Sequence, residues 1–397
     1  MGITGQQITV LGAGVAGLAV SLALARQGAQ VTVLEQADAI REVGAGLQIS
    51  PNAACVLRAL GLGAAVDATA MRAQAVDLLD GRSGRRVLRL DLARLRPQQS
   101  YLFLHRADLI DLLAEAARAA GVQITLSQQI ETVDLTGVRP RLVTTLAETH
   151  HPDILIGADG LHSKTRAALN GRSAPFFTRH VAWRSLIAAE PNPSPIAEIH
   201  MGSGSHLVSY PLRGGQVRNI VAVQERSAWT AESWAQPDDP ATLQRAFGDF
   251  SPRVQGWLAQ VQEVNLWGLF RHDVAKIWGK ALPKGAAVIL GDAAHPTLPF
   301  LAQGAAMALE DAWLLADRLA NLPLPEALAD YQTARHPRTS RTVAAANSNA
   351  RIYHLSGLSQ KIAHTGLRLG GMLAPNLALK RFDWLYDYDV TQGGGQT

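Results

Sequence analysis

One cysteine, Cys55, stands in the 397 residues of this chain. A single thiol excludes internal disulfides and any cysteine-rich metal site, and it fits a reducing cytoplasm. Cys55 itself reads as a small buried apolar residue. Charged residues make up only 18% of the chain, and the formal net charge is +4. The basic residues are scattered rather than run together, so no nucleic-acid or membrane footprint follows. The twelve histidines include no H-E-x-x-H, and no G-x-S-x-G occurs. Hydrolytic chemistry of those kinds has no support, and no metal is expected. Ile8–Ala25 is free of charge for eighteen residues, near the length of a membrane span. It contains three glycines and follows no basic segment, so it reads as the start of an α/β unit rather than a leader or a span. No internal repeat is visible. Length alone suggests about two or three domains, and 47% hydrophobic residues fit a sizeable core.

What is present begins with a fingerprint. The β-rich run Gln7–Leu11 leads into Gly12-Ala13-Gly14-Val15-Ala16-Gly17, a helical stretch to Gln27, and a second strand, Gln30–Leu34, ending in Glu35. This is G-x-G-x-x-G in its full strand–turn–helix–strand–acid frame. Gly12 permits the tight turn, Gly14 lets a pyrophosphate approach, and Gly17 lets helix and strand pack. Glu35 can accept hydrogen bonds from a ribose. The fingerprint does not separate FAD from NAD.

A second concentration of chemistry is Gly291–Asp311, GDAAHPTLPFLAQGAAMALED. It follows the apolar strand Ala286–Leu290 and presents the Asp292 carboxylate at the strand end. The helical run Gly304–Leu322 follows, with Glu310, Asp311, Asp317 and Arg318 expected on its polar face. Its N-terminus suits an anion or an electron-rich ring. A third strand end, Asp153–Ile156 then Gly157-Ala158-Asp159-Gly160, carries another carboxylate, with Ser163 and Arg166 beyond it.

Between these lie other signals. Gly44-Ala45-Gly46 through Pro51 reads as a loop against a ligand or backbone, with Asn52 as the N-cap of the next helix. Arg72–Leu92 reads as a β-hairpin. Ala107–Ala120 reads as an amphipathic helix with Arg106 at its start. After Pro175 the texture changes to short β-rich runs: 181–188, 196–201, 206–211, 217–224 and 264–269. They predict a separate antiparallel sheet inserted into the α/β pattern. The fold class is therefore α/β: a Rossmann-like dinucleotide domain with an inserted antiparallel β-sheet substrate domain and C-terminal helices after Pro337. The expected bounds are 1–72, 100–178 and 270–335 for the first, 73–99 and 179–269 for the second, and 336–397 for the last. Residues 392–397 are expected to be disordered.

Together GAGVAG with Glu35, DILIGADG with Arg166, and GDAAHPTLPFLAQGAAMALEDA resemble the single-component FAD-dependent aromatic hydroxylases, the p-hydroxybenzoate hydroxylase-like flavoprotein monooxygenases. GAGLQISPNA, the run His206-Leu-Val-Ser-Tyr210-Pro211 and the closing FDWLYDYDV look most like salicylate hydroxylase and 3-hydroxybenzoate 6-hydroxylase. The resemblance spans nearly the whole chain. It implies FAD held by Gly12, Gly14, Ala16, Gly17 and Glu35 on the adenosine side. Arg106, Asp159, Asp292, Gly304 and Ala305 would hold it toward the flavin, with Asp159 also serving a transient nicotinamide. It implies NAD(P)H as co-substrate without a Rossmann site of its own, in agreement with the single G-x-G-x-x-G. It implies hydroxylation of a phenolic aromatic acid with O2 through a flavin C4a-hydroperoxide.

His206 and Tyr210, four apart on one strand, face the same side. A histidine suits removal of a phenolic proton near neutrality, and with the family motif His206 is the expected base, acting directly or through Tyr210. Gln303 lies where related enzymes place Gln or His near the substrate hydroxyl; His there marks pyridine-type hydroxylases. His295 and His105 are expected to be structural. Gln36 departs from the basic residue frequent after the acid. No residue for a substrate carboxylate is identified; Arg184 is in the right region, with a sheet-edge ion pair as its plain alternative. The competing readings are an FAD oxidoreductase without oxygen insertion, a hydroxylase of an N-heterocyclic aromatic, and a non-catalytic dinucleotide-binding regulator. A homodimer is compatible with all of them.

Overall fold

Strands buried on both faces read as unbroken apolar runs. The runs ILIG and GAAVI are of this kind, and QITVL and QVTVL, with a half-buried Thr in each, lie beside them in one sheet. The structure is a computed structural model and describes residues 3–40, 46–227 and 236–392, without the side chains of residues 350, 351 and 372. The six strands run Gly279–Leu282, Gly285–Ile289, Ile154–Gly157, Gln7–Leu11, Gln30–Leu34, Gln123–Thr125. All neighbours are parallel except the first pair.

The register builds the cleft. Leu11 is level with Leu34 and Gly157, and Gly157 with Ile289. Gly12, Glu35, Ala158-Asp159 and Gly291-Asp292 therefore emerge together at the carboxyl edge, where open α/β sheets bind ligands. The helix Val15–Arg26 packs against Gly304–Asn321 and Arg106–Ala119. The uncharged run Ile8–Ala25 is thus divided between a strand and a helix. No helix among the described residues is long and apolar enough to cross a membrane.

The β-rich region forms an eight-stranded sheet. Its order is Gln236–Asp238, Val264–Arg271, Phe176–Ala188, Val217–Glu225, Ser205–Leu212, Ile196–Gly202, Ala75–Asp80, Arg86–Asp91. The expected hairpin is its far end, and one pairing departs from the antiparallel expectation. Ile196–Gly202 runs parallel to Ala75–Asp80, because the hairpin arrives from a distant part of the chain rather than through a tight turn. Alternation along the strands gives the sheet two working faces. Val181, Trp183, Leu207 and Ala222 pack under Leu243, Phe247 and Leu258 of two short helices. Ala182, Val223, Trp267 and Leu269 meet Leu298 and Phe300 of the loop that ends the first sheet. A three-stranded ribbon, Gly46–Ile49, Leu102–His105 and Met71–Arg72, lies between the two units.

Pro337 sits inside Leu324–Tyr353, a 30-residue helix that continues unbroken through residues 335 and 336 rather than starting after the proline. An interior proline costs about 3 kcal/mol. Here Tyr331, Arg335, Thr339 and Thr342 anchor both sides of it in the core. Shorter helices, Gly357–Leu373, Pro375–Lys380 and Asp383–Tyr386, close the described chain. The expectations for Gly44-Ala45 and for residues 393–397 lie outside the described residues.

Candidate active site

The glycine turn has the shape of a phosphate cradle. Gly12 has φ 97°, and a Cβ there would lie 2.6 Å from the Ala158 carbonyl oxygen. A Cβ at Gly17 would lie 1.9 Å from the Gly12 oxygen, so neither glycine has a substitute. Around a Cβ at Gly14 nothing lies within 4 Å among the described residues. That open space sits at the N-terminus of Val15–Arg26, whose first turn holds no acid, so a pyrophosphate fits. Ala16 meets the third motif: its Cβ is 3.0 Å from where a Cβ on Gly291 would be. Glu35 braces the turn, accepting from the backbone N–H of Ala13 at 2.6 Å and of Ala37 at 2.9 Å. A carboxylate has about four lone-pair positions, so room remains for ribose hydroxyls.

Asp292 is exposed where its strand ends, yet surrounding protein pushes its carboxyl above the usual range, against the pull of His295, Arg106 and His272. Arg106 opens the helix Arg106–Ala119, which His105 caps by accepting from the Ala107 N–H at 3.3 Å. The carboxylate of Asp159 is spent on the helix Lys164–Asn170. It accepts from Ser163 Oγ at 2.6 Å, Lys164 N at 2.8 Å and Thr165 N at 3.2 Å. Arg166 ties the third motif down, donating to the carbonyls of Asp273 at 2.6 Å and Ala293 at 3.3 Å. FAD thus fits the residues present: a cradle a Cβ would fill, a braced acid, and Asp292 beside Arg106.

The helix Gly304–Asn321 starts with no side-chain cap and no acid in its first turn. Gly304 and Ala305 therefore offer N–H groups and the positive dipole end to an electron-rich ring edge. Further along, the expectation of a polar outer face fails at two positions. Glu310 and Asp311 are fully buried, because the long helix Leu324–Tyr353 brings cations to them. Arg335 Nη1 lies 2.6 Å from Glu310 Oε2 and its Nε 2.7 Å from Asp311 Oδ1. Arg338 grips Glu310 through Nε and Nη2, each at 2.8 Å. Asp311, held down to about 2 by His295 and Arg335 against the cost of burial, also accepts from the Gly291 N–H at 3.0 Å and pairs with His295. His295 is thereby held in the core by Asp311.

This buried network ends on Gln303. Asn52 Nδ2 donates to Glu310 at 2.6 Å and to Gln303 Oε1 at 3.2 Å, and Gln303 Nε2 donates to Ser50 Oγ at 3.0 Å. Asn52 is thus not the expected N-cap; Ser50 is, and Asn52 lies in the first turn with its side chain drawn into the core. Sequence reasoning missed Ser50, Arg335 and Arg338. The one signal for the cations was their spacing of three, which puts both on one helix face.

His206 and Tyr210 lie on the same face of Ser205–Leu212, as their spacing predicts. His206 is buried against Phe300, ring centroids 5.6 Å apart, and its Nδ1 lies 2.7 Å from His354 Nε2. Burial, then the neighbouring His354 and His180, hold its pKa well below the usual 6.5, so the ring is neutral. Tyr210 stacks on Phe103 at 4.9 Å. A Cβ on Gly46 would lie 2.7 Å from the Tyr210 hydroxyl, so the ribbon needs glycine there. Asn219, level with Tyr210, accepts from the Gly46 N–H at 2.8 Å and leaves Nδ2 buried without a partner among the described residues. Arg184 is not at a sheet edge. Its strand is third of eight, its guanidinium lies 4.5 Å from the Trp267 ring centroid, and its charge reaches Tyr210. His354 Nδ1 lies 2.9 Å from Glu225 Oε1, and His180 approaches the same carboxylate. The three offer ligand atoms within 4.8 Å of one another, a grouping no local motif announces.

Residues 6–346 match the family described as FAD binding domain. A 3-amino-4-hydroxybenzoate 2-monooxygenase of Streptomyces platensis is 32% identical over 98% of each chain. A 3-hydroxybenzoate 6-hydroxylase of Aquipseudomonas alcaligenes is 32% identical over 97% of this chain and 98% of its own. A salicylate hydroxylase solved with substrate superposes with a TM-score of 0.80 at 22% identity, covering 98% of this chain and 97% of that one; this likeness concerns the fold.

Proposed function

This chain belongs to the FAD-binding domain family, and we propose that it hydroxylates a phenolic aromatic acid of the hydroxybenzoate type, using NAD(P)H and O2. When bound, FAD supplies the redox chemistry: it takes a hydride from the nicotinamide and activates O2 for insertion of one oxygen atom into the ring. The observation that carries the reading is the shared face of His206 and Tyr210, set against the Leu298–Gln303 loop at the edge where the three FAD motifs emerge.

The roles follow from chemistry. His206, neutral and buried, accepts the substrate's phenolic proton and makes the ring electron-rich. Gln303, pinned by Ser50 and Asn52, orients that hydroxyl with its remaining hydrogen-bonding capacity. Tyr210 and Asn219 line the floor, and Arg184 supplies positive charge for the carboxylate. Gly304 and Ala305, at the positive end of their helix, would stabilise negative charge on a bound flavin. The glycine turn, Glu35, Arg106 and Asp292 would hold the cofactor. The substrate class is supported by the two relatives, whose names place them on hydroxybenzoates.

A stripe of exposed apolar side chains, Leu358, Ile362, Leu369, Leu373 and Leu377, supports a homodimer, which light scattering would detect. A cytoplasmic location is supported by the lone Cys55. The functional test is NADH and NADPH oxidation by the FAD-loaded protein across a panel of hydroxybenzoates. A large rise with one or more of them is expected, since a nicotinamide that binds only transiently lets reduction wait for the ring. Equal rates with and without every phenolic acid would refute the assignment.

A further inference from the structure

Three side chains run from the buried His206 to solvent. His206 Nδ1 lies 2.7 Å from His354 Nε2, and His354 Nδ1 lies 2.9 Å from Glu225 Oε1. His206 and His354 are buried, whereas the Glu225 side chain is 53% exposed. They come from the strand Ser205–Leu212, the C-cap of the helix Leu324–Tyr353, and the end of the strand Val217–Glu225.

This chain of contacts has a direction. An ionised carboxylate has no proton to give and can only accept. His354 must therefore carry its proton on Nδ1, which leaves Nε2 as a lone pair. Facing that lone pair, His206 must carry its own proton on Nδ1. Its Nε2 is then bare and able to accept. The surface carboxylate thus sets the tautomer of the buried base through two rings.

We propose that His354 and Glu225 are the proton exit of this site, positioning residues that keep His206 in its accepting tautomer and carry the substrate's proton to water. The proposal rests on the reading of His206 as the base. The phenolic O–H bond breaks and its electron pair stays on oxygen. The proton bonds to His206 Nε2, the Nδ1 proton passes to His354 Nε2, and the His354 Nδ1 proton passes to a Glu225 oxygen and on to solvent. Both rings end in the opposite tautomer. The same path run inward returns a proton to the product's oxygen and restores them.

The surroundings suit this. His180 lies with its ring 5.1 Å from that of His354, and its Nδ1 donates to the Thr178 carbonyl at 2.8 Å. It therefore presents a lone pair to Glu225 at 3.8 Å and, while neutral, leaves the carboxylate to His354. Tyr353 lies 5.1 Å from His206, ring to ring, and burial raises its hydroxyl to about 12, so it stays neutral. Burial holds His180, His206 and His354 below their ordinary pKa, His354 at about 4. At neutral pH the path is uncharged along both rings.

Two measurements test it. Nitrogen-15 NMR of the histidines in the FAD-loaded protein should show Nδ1–H tautomers at His206 and His354, and Glu225→Ala should release both. An Nε2–H tautomer at His206, or no response to Glu225→Ala, overturns the proposal. Stopped-flow proton release, read with an indicator dye, is then followed on mixing with 3-hydroxybenzoate as the probe. His354→Gln and Glu225→Ala should bind it with the wild-type Kd yet release the proton about tenfold or more slowly, a part of the 10²–10⁴ a positioned proton acceptor contributes. Release at the wild-type rate in both variants also overturns it. A wild type that does not bind 3-hydroxybenzoate counts against the substrate class alone, because the tautomers still decide the relay.

Discussion

At the scale of a single residue the proposed base is His206, and its environment decides what it can do. Buried and below its usual pKa, it is neutral and able to accept a proton. Loss of a general base costs about 10²–10⁴ in rate. His206→Ala should slow hydroxylation by that order, leave FAD content unchanged, and lower the product formed per NADH consumed. Wild-type coupling in the variant would place the base elsewhere. Asp292 makes a different claim. A hydrogen bond to a charged group is worth about 1.5–3 kcal/mol, so Asp292→Ala should weaken FAD binding by about ten- to a hundred-fold without lowering the melting temperature of the apoprotein. Flavin titration measures this, and an unchanged Kd would remove Asp292 from the cofactor site. Local sequence made both residues visible, since each sits in a motif with a fixed spacing. His354 and Glu225 were not visible. They lie 148 and 19 residues from His206 and meet it only through the tertiary fold.

The element that ties cofactor, substrate and core together is the helix Gly304–Asn321. Its uncapped start, with no acid in the first turn, agrees with the sequence expectation that it suits an anion, since a strand and a tight loop precede it. Its middle was misread. Glu310 and Asp311 fall on the helical wheel as a polar face, and no local pattern says that a helix some twenty-five residues later buries them under Arg335 and Arg338. Removing one partner of a buried ion pair costs about 3–5 kcal/mol. Glu310→Ala should therefore lower unfolding stability by about that much, since Arg335 loses one of its two carboxylates while remaining buried. It should also release Asn52 and, through it, Gln303. The check is denaturant unfolding together with KM. A loss below about 1 kcal/mol would mean that the network relaxes to solvent instead. The strands of the inserted sheet were legible as short β-rich runs, but the parallel join to the hairpin Ala75–Asp91 was not. Register between distant segments is set by packing, not by the segments themselves.

For the molecule as a whole, stability should follow its buried histidines. His180, His206 and His354 titrate lower in the folded chain than in the unfolded one, where histidine has its usual 6.5. As pH falls below 6.5 the unfolded chain binds protons that the folded chain refuses until about 4 at His354. Unfolding free energy should therefore drop across that window, and His354→Gln should flatten the slope in denaturant titrations. An equal slope in the variant would mean that His354 is not held neutral. The central claim is that this fold inserts oxygen into a phenolic ring. It is tested most directly by turning over 3-hydroxybenzoate and related hydroxybenzoates with NADH under oxygen-18 gas and weighing the products. One labelled oxygen atom per product molecule, formed in proportion to NADH consumed, is the predicted result. NADH consumption stimulated by the aromatic acid, with no labelled oxygen in any product, would contradict it.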